Sequence, residues 1–191
     1  MKHLLILLLL FVGFKAASQD LSYHSGYIVM QTKDTIFCWV PIESSFGDKI
    51  PIRHSAESDE ENIPLIRIKY LVTQSNKYEN ISFKKKGKEI HKLMWLEVEG
   101  KLNLYLEIEN NASGSSLESA ASVTIYKAPT KTYVVRKGDS TFLIDKKNFI
   151  ATIKPVIADN KDLTDKVESQ DYDFDNIDVL IRDYNALVKP N

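Results

Sequence analysis

The stretch Asp171-Tyr172-Asp173-Phe174-Asp175-Asn176-Ile177-Asp178 sets carboxylates at the first, third and fifth positions of a calcium-loop pattern. Such a loop needs glycine at its sixth position and a bidentate glutamate at its twelfth. Those positions hold Asn176 and Arg182, a cation where the ion needs an anion. The acids therefore read as the first turn of a helix, where negative charge meets the positive end of the helix dipole. His24, His54 and His91 do not stand at metal-ligand spacing from one another or from Cys38, the single cysteine. No metal site and no cofactor is assigned. No G-x-S-x-G, H-E-x-x-H or P-loop occurs. Acidic pairs such as Glu97 and Glu99 could serve the two-carboxylate hydrolysis of a glycosidic bond, but strand alternation alone accounts for them. No catalytic residue is assigned.

A better lead is aromatic. Trp95 and Tyr105 fall at odd positions of "MWLEVEGKLNLYLEIE", residues 94–109, and the apolar Leu96, Val98, Leu102, Leu104, Leu106 and Ile108 fall at even ones. Period two predicts a hairpin with one face in the core and one largely wet, turning at Gly100. Across that turn Trp95 and Tyr105 come close to facing each other. They form a candidate surface for a sugar or a protein partner, unless C-terminal helices cover it.

The elements that would carry such a surface are mostly strands. Tyr27–Gln31 and Thr35–Val40 have strand composition. A two-residue turn at Lys33-Asp34 would set Met30 opposite Phe37 and Ile28 opposite Trp39, leaving both faces apolar and both covered. Cys38 then reads as a small buried hydrophobe. Further strands are expected at 50–53, 65–74, 77–84, 123–127, 131–136 and 141–144. The run Lys84-Lys85-Lys86-Gly87-Lys88 reads as a solvated hairpin tip; the alternative is contact with anionic lipid or polysaccharide. Residues 110–122, small and polar, read as a loop or insertion. After Asp145, a fair N-cap, the period becomes helical. Phe149, Ile150, Ile153 and Ile157 share one stripe, with Pro155 to bend or end that helix. Leu163 and Val167 line a short second helix, and Ile177, Leu180, Ile181, Tyr184 and Leu187 a third. Strands followed by helices predict a mostly β or α+β chain: an antiparallel sheet, sandwich or roll, with C-terminal helices packed on it. Residues 19–145 form the β domain and 146–191 its helical segment.

The start of the chain points to export. Lys2 and His3 precede an apolar run from Leu4 to Val12, and Ala16-Ala17-Ser18 supplies small residues for cleavage. This is the layout of a signal peptide over residues 1–18. The run is shorter than the roughly 20 apolar residues that span a bilayer, and no second long apolar run follows. Loss of Lys2 and Lys15 takes the basic residues from 25 to 23 against 26 acidic ones. That leaves no positive field suited to nucleic acid.

Three motifs in order carry a resemblance. Gly26-Tyr27-Ile28 is followed by Asp34-Thr35-Ile36; then comes Glu99-Gly100-Lys101-Leu102-Asn103-Leu104-Tyr105; a last helix bears Tyr184-Asn185. In this the chain resembles a family of small secreted proteins of Bacteroidota, departing from it at Lys33, where glycine is common. The resemblance implies a periplasmic, extracellular or outer-membrane-associated location and no particular activity. It also implies O-glycosylation of at least one of Thr35 and Ser140, since Asp34-Thr35-Ile36 and Asp139-Ser140-Thr141 match the short acceptor motif of that phylum. The expectation is a non-catalytic envelope protein that binds a protein or glycan. The alternatives are a hydrolase of cell-envelope glycans and a structural subunit of an envelope assembly.

Overall fold

The computed structural model describes residues 23–41, 46–74, 76–109 and 129–187. The leader, the 110–122 segment and the strand expected at 123–127 lie outside the described residues. Ten strands form. They are β1 (Tyr23–Met30), β2 (Thr35–Pro41), β3 (Lys49–Ile52), β4 (Glu61–Pro64), β5 (Ile68–Thr73), β6 (Lys77–Lys85), β7 (Lys88–Val98), β8 (Leu102–Glu109), β9 (Thr130–Lys137) and β10 (Ser140–Ile144). Three helices follow: α1 (Phe149–Ile157), α2 (Lys161–Glu168) and α3 (Ile177–Leu187). Eight strands make one antiparallel sheet in the order β10-β9-β8-β7-β6-β5-β1-β2, and β3 and β4 make a separate ribbon. The chain is thus α+β and mostly β, with its helices at the C-terminal end. Among the described residues no helix is long and apolar enough to cross a membrane.

One row of paired residues shows how the sheet is built. Ile36, Ile28, Leu71, Tyr78, Trp95, Leu106, Tyr133 and Ile144 stand side by side, one from each strand. All point to the same face, because side chains opposite one another share a side. That face is covered along its length. At one end α1, α2 and α3 bury Ile153, Ile157, Leu163, Val167, Ile177, Leu180 and Tyr184 against Leu102, Leu104 and Val135. At the other end Ile50, Ile52, Ile63 and Phe46 cover Ile28, Val40 and Leu71. Trp95 touches both clusters.

The opposite face is concave. The sheet coils until β10 packs against β6, and Thr141 Oγ1 donates to the Ser82 carbonyl at 2.7 Å. Such coiling follows from the right-handed twist of strands accumulated over a wide sheet. Inside the coil lie Ile81, Phe83, Met94, Tyr105 and Val134, all buried. The face expected to be wet is therefore a second, smaller core.

Two registers differ from expectation. The β1–β2 loop has three residues, Gln31-Thr32-Lys33, closed by Lys33 N donating to Met30 O (2.9 Å) and Met30 N donating to Asp34 O (2.8 Å). Lys33 sits at φ 75, the left-handed last position of a three-residue hairpin loop. Tyr27 then pairs with Phe37 and Ile28 with Ile36. The extra loop residue regroups the side chains: Cys38 and Val40 turn inward and are buried, while Phe37 is 76% exposed. The hairpin is not covered on both sides: the face of β2 that carries Thr35 and Phe37 is open. In the second case a bulge falls between Leu96 and Val98. It reverses the sidedness of β7 before it, so even positions stop being core positions.

The turn chemistry otherwise follows the residues. Lys86 (φ 51) and Gly87 (φ 77) both take positive φ in the two-residue turn joining β6 to β7, as such tight hairpins require. Asn148 occupies the N-cap of α1. Asp145 instead organises the turn before it, its Oδ1 accepting from Lys147 N at 2.9 Å and its Oδ2 from Asn148 Nδ2 at 3.0 Å. Pro155 lies within α1, which ends two residues later.

Candidate functional site

Trp95 and Tyr105 do not form a pair. Trp95 is opposite Leu106 and half-buried on the helix face, whereas Tyr105 is opposite Leu96 and fully buried in the concave face. The bulge at Glu97 separates them. The aromatic surface expected from strict alternation is therefore absent, and Tyr105 takes another role.

The Tyr105 hydroxyl donates to Glu79 Oε2 at 2.8 Å. Arg136 Nη2 meets the same oxygen at 2.9 Å, and Lys77 Nζ meets Oε1 at 3.0 Å. These groups come from β6, β8 and β9, which the strand order sets near one another with β7 between β6 and β8. Burial raises the Glu79 pKa, but bonds from Lys77 and Tyr105 and the charge of Arg136 outweigh it and hold the carboxyl below its usual range. Burial likewise opposes the Lys77 ammonium, and its bonds to Glu79 and Glu99 more than compensate, so its pKa lies above the ordinary lysine value. Burial and the neighbouring Glu79 push the Tyr105 phenol well up. Tyr105 is thus a fixed hydrogen-bond donor, and the Arg136 guanidinium lies 5.0 Å from its ring centre.

This network forms one wall of an open cleft of about 770 Å³. Tyr27 on β1 and Tyr70 and Val72 on β5 line the other wall, with Lys69 and Gln31 at the rim. The Tyr27 ring lies 6.0 Å from the exposed Phe37 ring, tilted by 53° to it, and Lys77 Nζ lies 6.0 Å from the Tyr70 ring centre. Half-buried tyrosines beside fixed cations suit the binding of a polar ligand with one flat apolar face. Acid–base chemistry is less well served. A general acid at neutral pH needs a raised carboxyl pKa, and Glu79 is lowered. Glu97 is raised, chiefly by burial and then by Asp178, but it sits at the bulge beneath α3. Its Oε2 is buried with no hydrogen-bond partner among the described residues.

Other sequence candidates fall as follows. Thr35 and Ser140 are both exposed, each at the start of a strand beside a turn. Cys38 is buried, and that burial raises its thiol pKa to about 11. Asp173 caps the approach to α3, its Oδ1 accepting from Asp175 N at 2.8 Å and Asn176 N at 3.1 Å. Among the described residues no group of three or more His, Cys, Asp or Glu could hold a metal ion. His54 is exposed and meets Glu61 at 3.0 Å.

The residues missed in sequence were Glu79, Lys77, Arg136, Tyr27 and Tyr70. "YEN" and "YVVR" carry no spacing signal, since their partners are distant in the chain and meet only through strand order. Comparison with family models, curated proteins and solved structures finds no match to this chain.

Proposed function

We propose that this chain is an exported, non-catalytic binding protein of the cell envelope, and that its cleft between β1, β5 and β6 takes a segment of glycan or of a protein partner. The observation that carries this is the joining of two tyrosines to a fixed Lys77–Glu79–Arg136 network along one open cleft. The network offers oriented donors that need no rearrangement on binding, which lowers the cost of association. The apolar leader and the resemblance to small secreted proteins of Bacteroidota support the location. O-glycosylation of at least one of Thr35 and Ser140 is part of the same reading.

The test is a screen of the secreted protein against envelope glycans and peptides, followed by Tyr27→Ala and Tyr70→Ala. Each variant should keep the fold and weaken the bound ligand by about tenfold or more, as for truncation of an aromatic hot spot. Unchanged affinity in both would remove the cleft as the binding site. A second reading, a subunit of an envelope assembly, draws on the edge strand β2 with Phe37 76% exposed; co-purification of a fixed partner lost on Phe37→Ser would favour it.

A further inference from the structure

The lysines of this protein are unevenly paired. Lys77, Lys92, Lys137, Lys154, Lys161 and Lys166 each meet a carboxylate within ion-pair distance. A different set gathers at one end of the sheet. Lys85 and Lys86 come from the β6–β7 turn, Lys131 from the start of β9, and Lys146 and Lys147 from the β10–α1 turn. All five line one cleft of about 470 Å³ floored by Leu143, Ile144 and Phe174.

We infer that this cleft is an anion-binding site for a ligand carrying more than one phosphate group. Three separate elements supply the cations, so the charge surrounds a concavity rather than lying along one solvated strand. Clefts lined by one sign of charge with low-dielectric walls focus the field and concentrate counter-ions. The acids nearby are already engaged. Asp145 holds its own turn through Lys147 N and Asn148 Nδ2, and Asp175 meets Lys146 through both oxygens at 3.0 Å. Lys85, Lys86, Lys131 and Lys147 are exposed and make no ion pair among the described residues. The charge of Lys131 is felt by the half-buried Glu97. Gathering four unpaired ammonium groups costs self-repulsion that a compact carboxylate would not relieve in full. Two or more phosphates would, since each accepts several charge-assisted bonds at close range. The apolar floor leaves room for a saccharide ring or the first carbons of an acyl chain. Phosphate of this kind comes from a soluble polyphosphate or from the headgroup of a membrane lipid.

The experiment uses the full mature chain at low ionic strength. Tripolyphosphate is titrated by calorimetry, and flotation is measured with phosphatidylcholine vesicles, with and without about one-fifth cardiolipin, whose headgroup carries two phosphates. The variants are the double change Lys85→Glu with Lys86→Glu, the single change Lys147→Glu, and Lys49→Glu as a control on β3. Circular dichroism and melting verify that these exposed changes leave the fold intact. The expected result is saturable one-site binding of tripolyphosphate that weakens with salt. It should fall about tenfold or more in the double variant and in Lys147→Glu, and stay level in Lys49→Glu. Flotation of anionic vesicles that tripolyphosphate displaces assigns the headgroup source; tripolyphosphate binding without flotation assigns the soluble one. Absence of saturable tripolyphosphate binding overturns the site, with or without flotation. An equal loss in Lys49→Glu does so as well, since it would report net charge alone.

Discussion

Gly100 and Asn185 are 85 positions apart in the numbering, yet the structure makes each depend on the other. The Asn185 side chain completes the β7–β8 turn. Its Oδ1 accepts from Leu102 N at 2.8 Å and its Nδ2 donates to Leu102 O at 2.9 Å. A Cβ at position 100 would lie 2.4 Å from Nδ2 and 2.6 Å from Cγ of Asn185. The φ of Gly100 is outside the left-handed region, so its backbone accepts alanine and only the contact resists it. To clear the methyl group Asn185 must move by about 1 Å, which breaks both bonds to Leu102. At roughly 1 kcal/mol net for each hydrogen bond, Gly100→Ala costs about 2 kcal/mol. Asn185→Ala costs about 2–3 kcal/mol, because it leaves two partly buried backbone groups without a protein partner. The double variant should cost no more than Asn185→Ala alone, since the methyl group then enters the vacated space. That predicts a coupling of about 2 kcal/mol between the two sites. Urea unfolding of the four proteins measures it, and each single change should lower Tm by about 4–8 °C. Simple additivity, or a Gly100→Ala protein as stable as the wild type, would refute this account of the helix–turn clasp.

Four further outcomes are expected. Gly26→Ala should cost about 3 kcal/mol or more in urea unfolding, because its Cβ would lie 2.3 Å from the Val72 carbonyl oxygen and force β1 from β5. Tyr105→Phe should cost about 2 kcal/mol through loss of a hydrogen bond to a charged group. The folded-state pKa of Glu79 is lowered, so the stability it contributes is present above the ordinary carboxylate pKa and lost as pH falls through the folded value; the acid limb of a melting profile should flatten in Glu79→Gln. Glu97 has the opposite sign: its folded-state pKa is raised, so stability declines as pH rises from the ordinary value through the raised one. Glu97→Gln should therefore raise Tm at pH 7 relative to pH 4, and a wild-type Tm that climbs across that window in step with the variant would contradict the assignment.

Periodicity was readable wherever one residue's neighbours along the chain decide its environment. The alternation of Leu102, Leu104 and Leu106, the helical stripe of Ile177, Leu180, Ile181 and Tyr184, and the turns at Gly87 and Gly100 all came through, because strand pleat and helix pitch act over a few residues. Alternation misled at Glu97. A bulge adds one residue without a mark in composition, and it sent Trp95 to the helix face and Tyr105 into the concave core. Lys33 misled in the same way, since the loop lacks the glycine or asparagine that would mark its left-handed position, and loop length sets the register.

The sequence by itself determined the mostly β content, the helical C-terminus, the burial of Cys38 and the acids that open the last helix. Each depends on local propensity, capping or hydrophobic period. Tertiary structure alone decided that Glu79, Tyr105 and Arg136 converge, that Asn185 clasps Leu102, and that lysines from three elements surround one cleft. Those contacts join residues whose separation along the chain carries no periodic signal. The Glu79 network and the lysine cleft rest on strand order and on the twist that rolls the sheet until β10 meets β6, while the Asn185 clasp rests on where α3 packs against the β7–β8 turn; each is a property of the assembled sheet and helices rather than of any one segment.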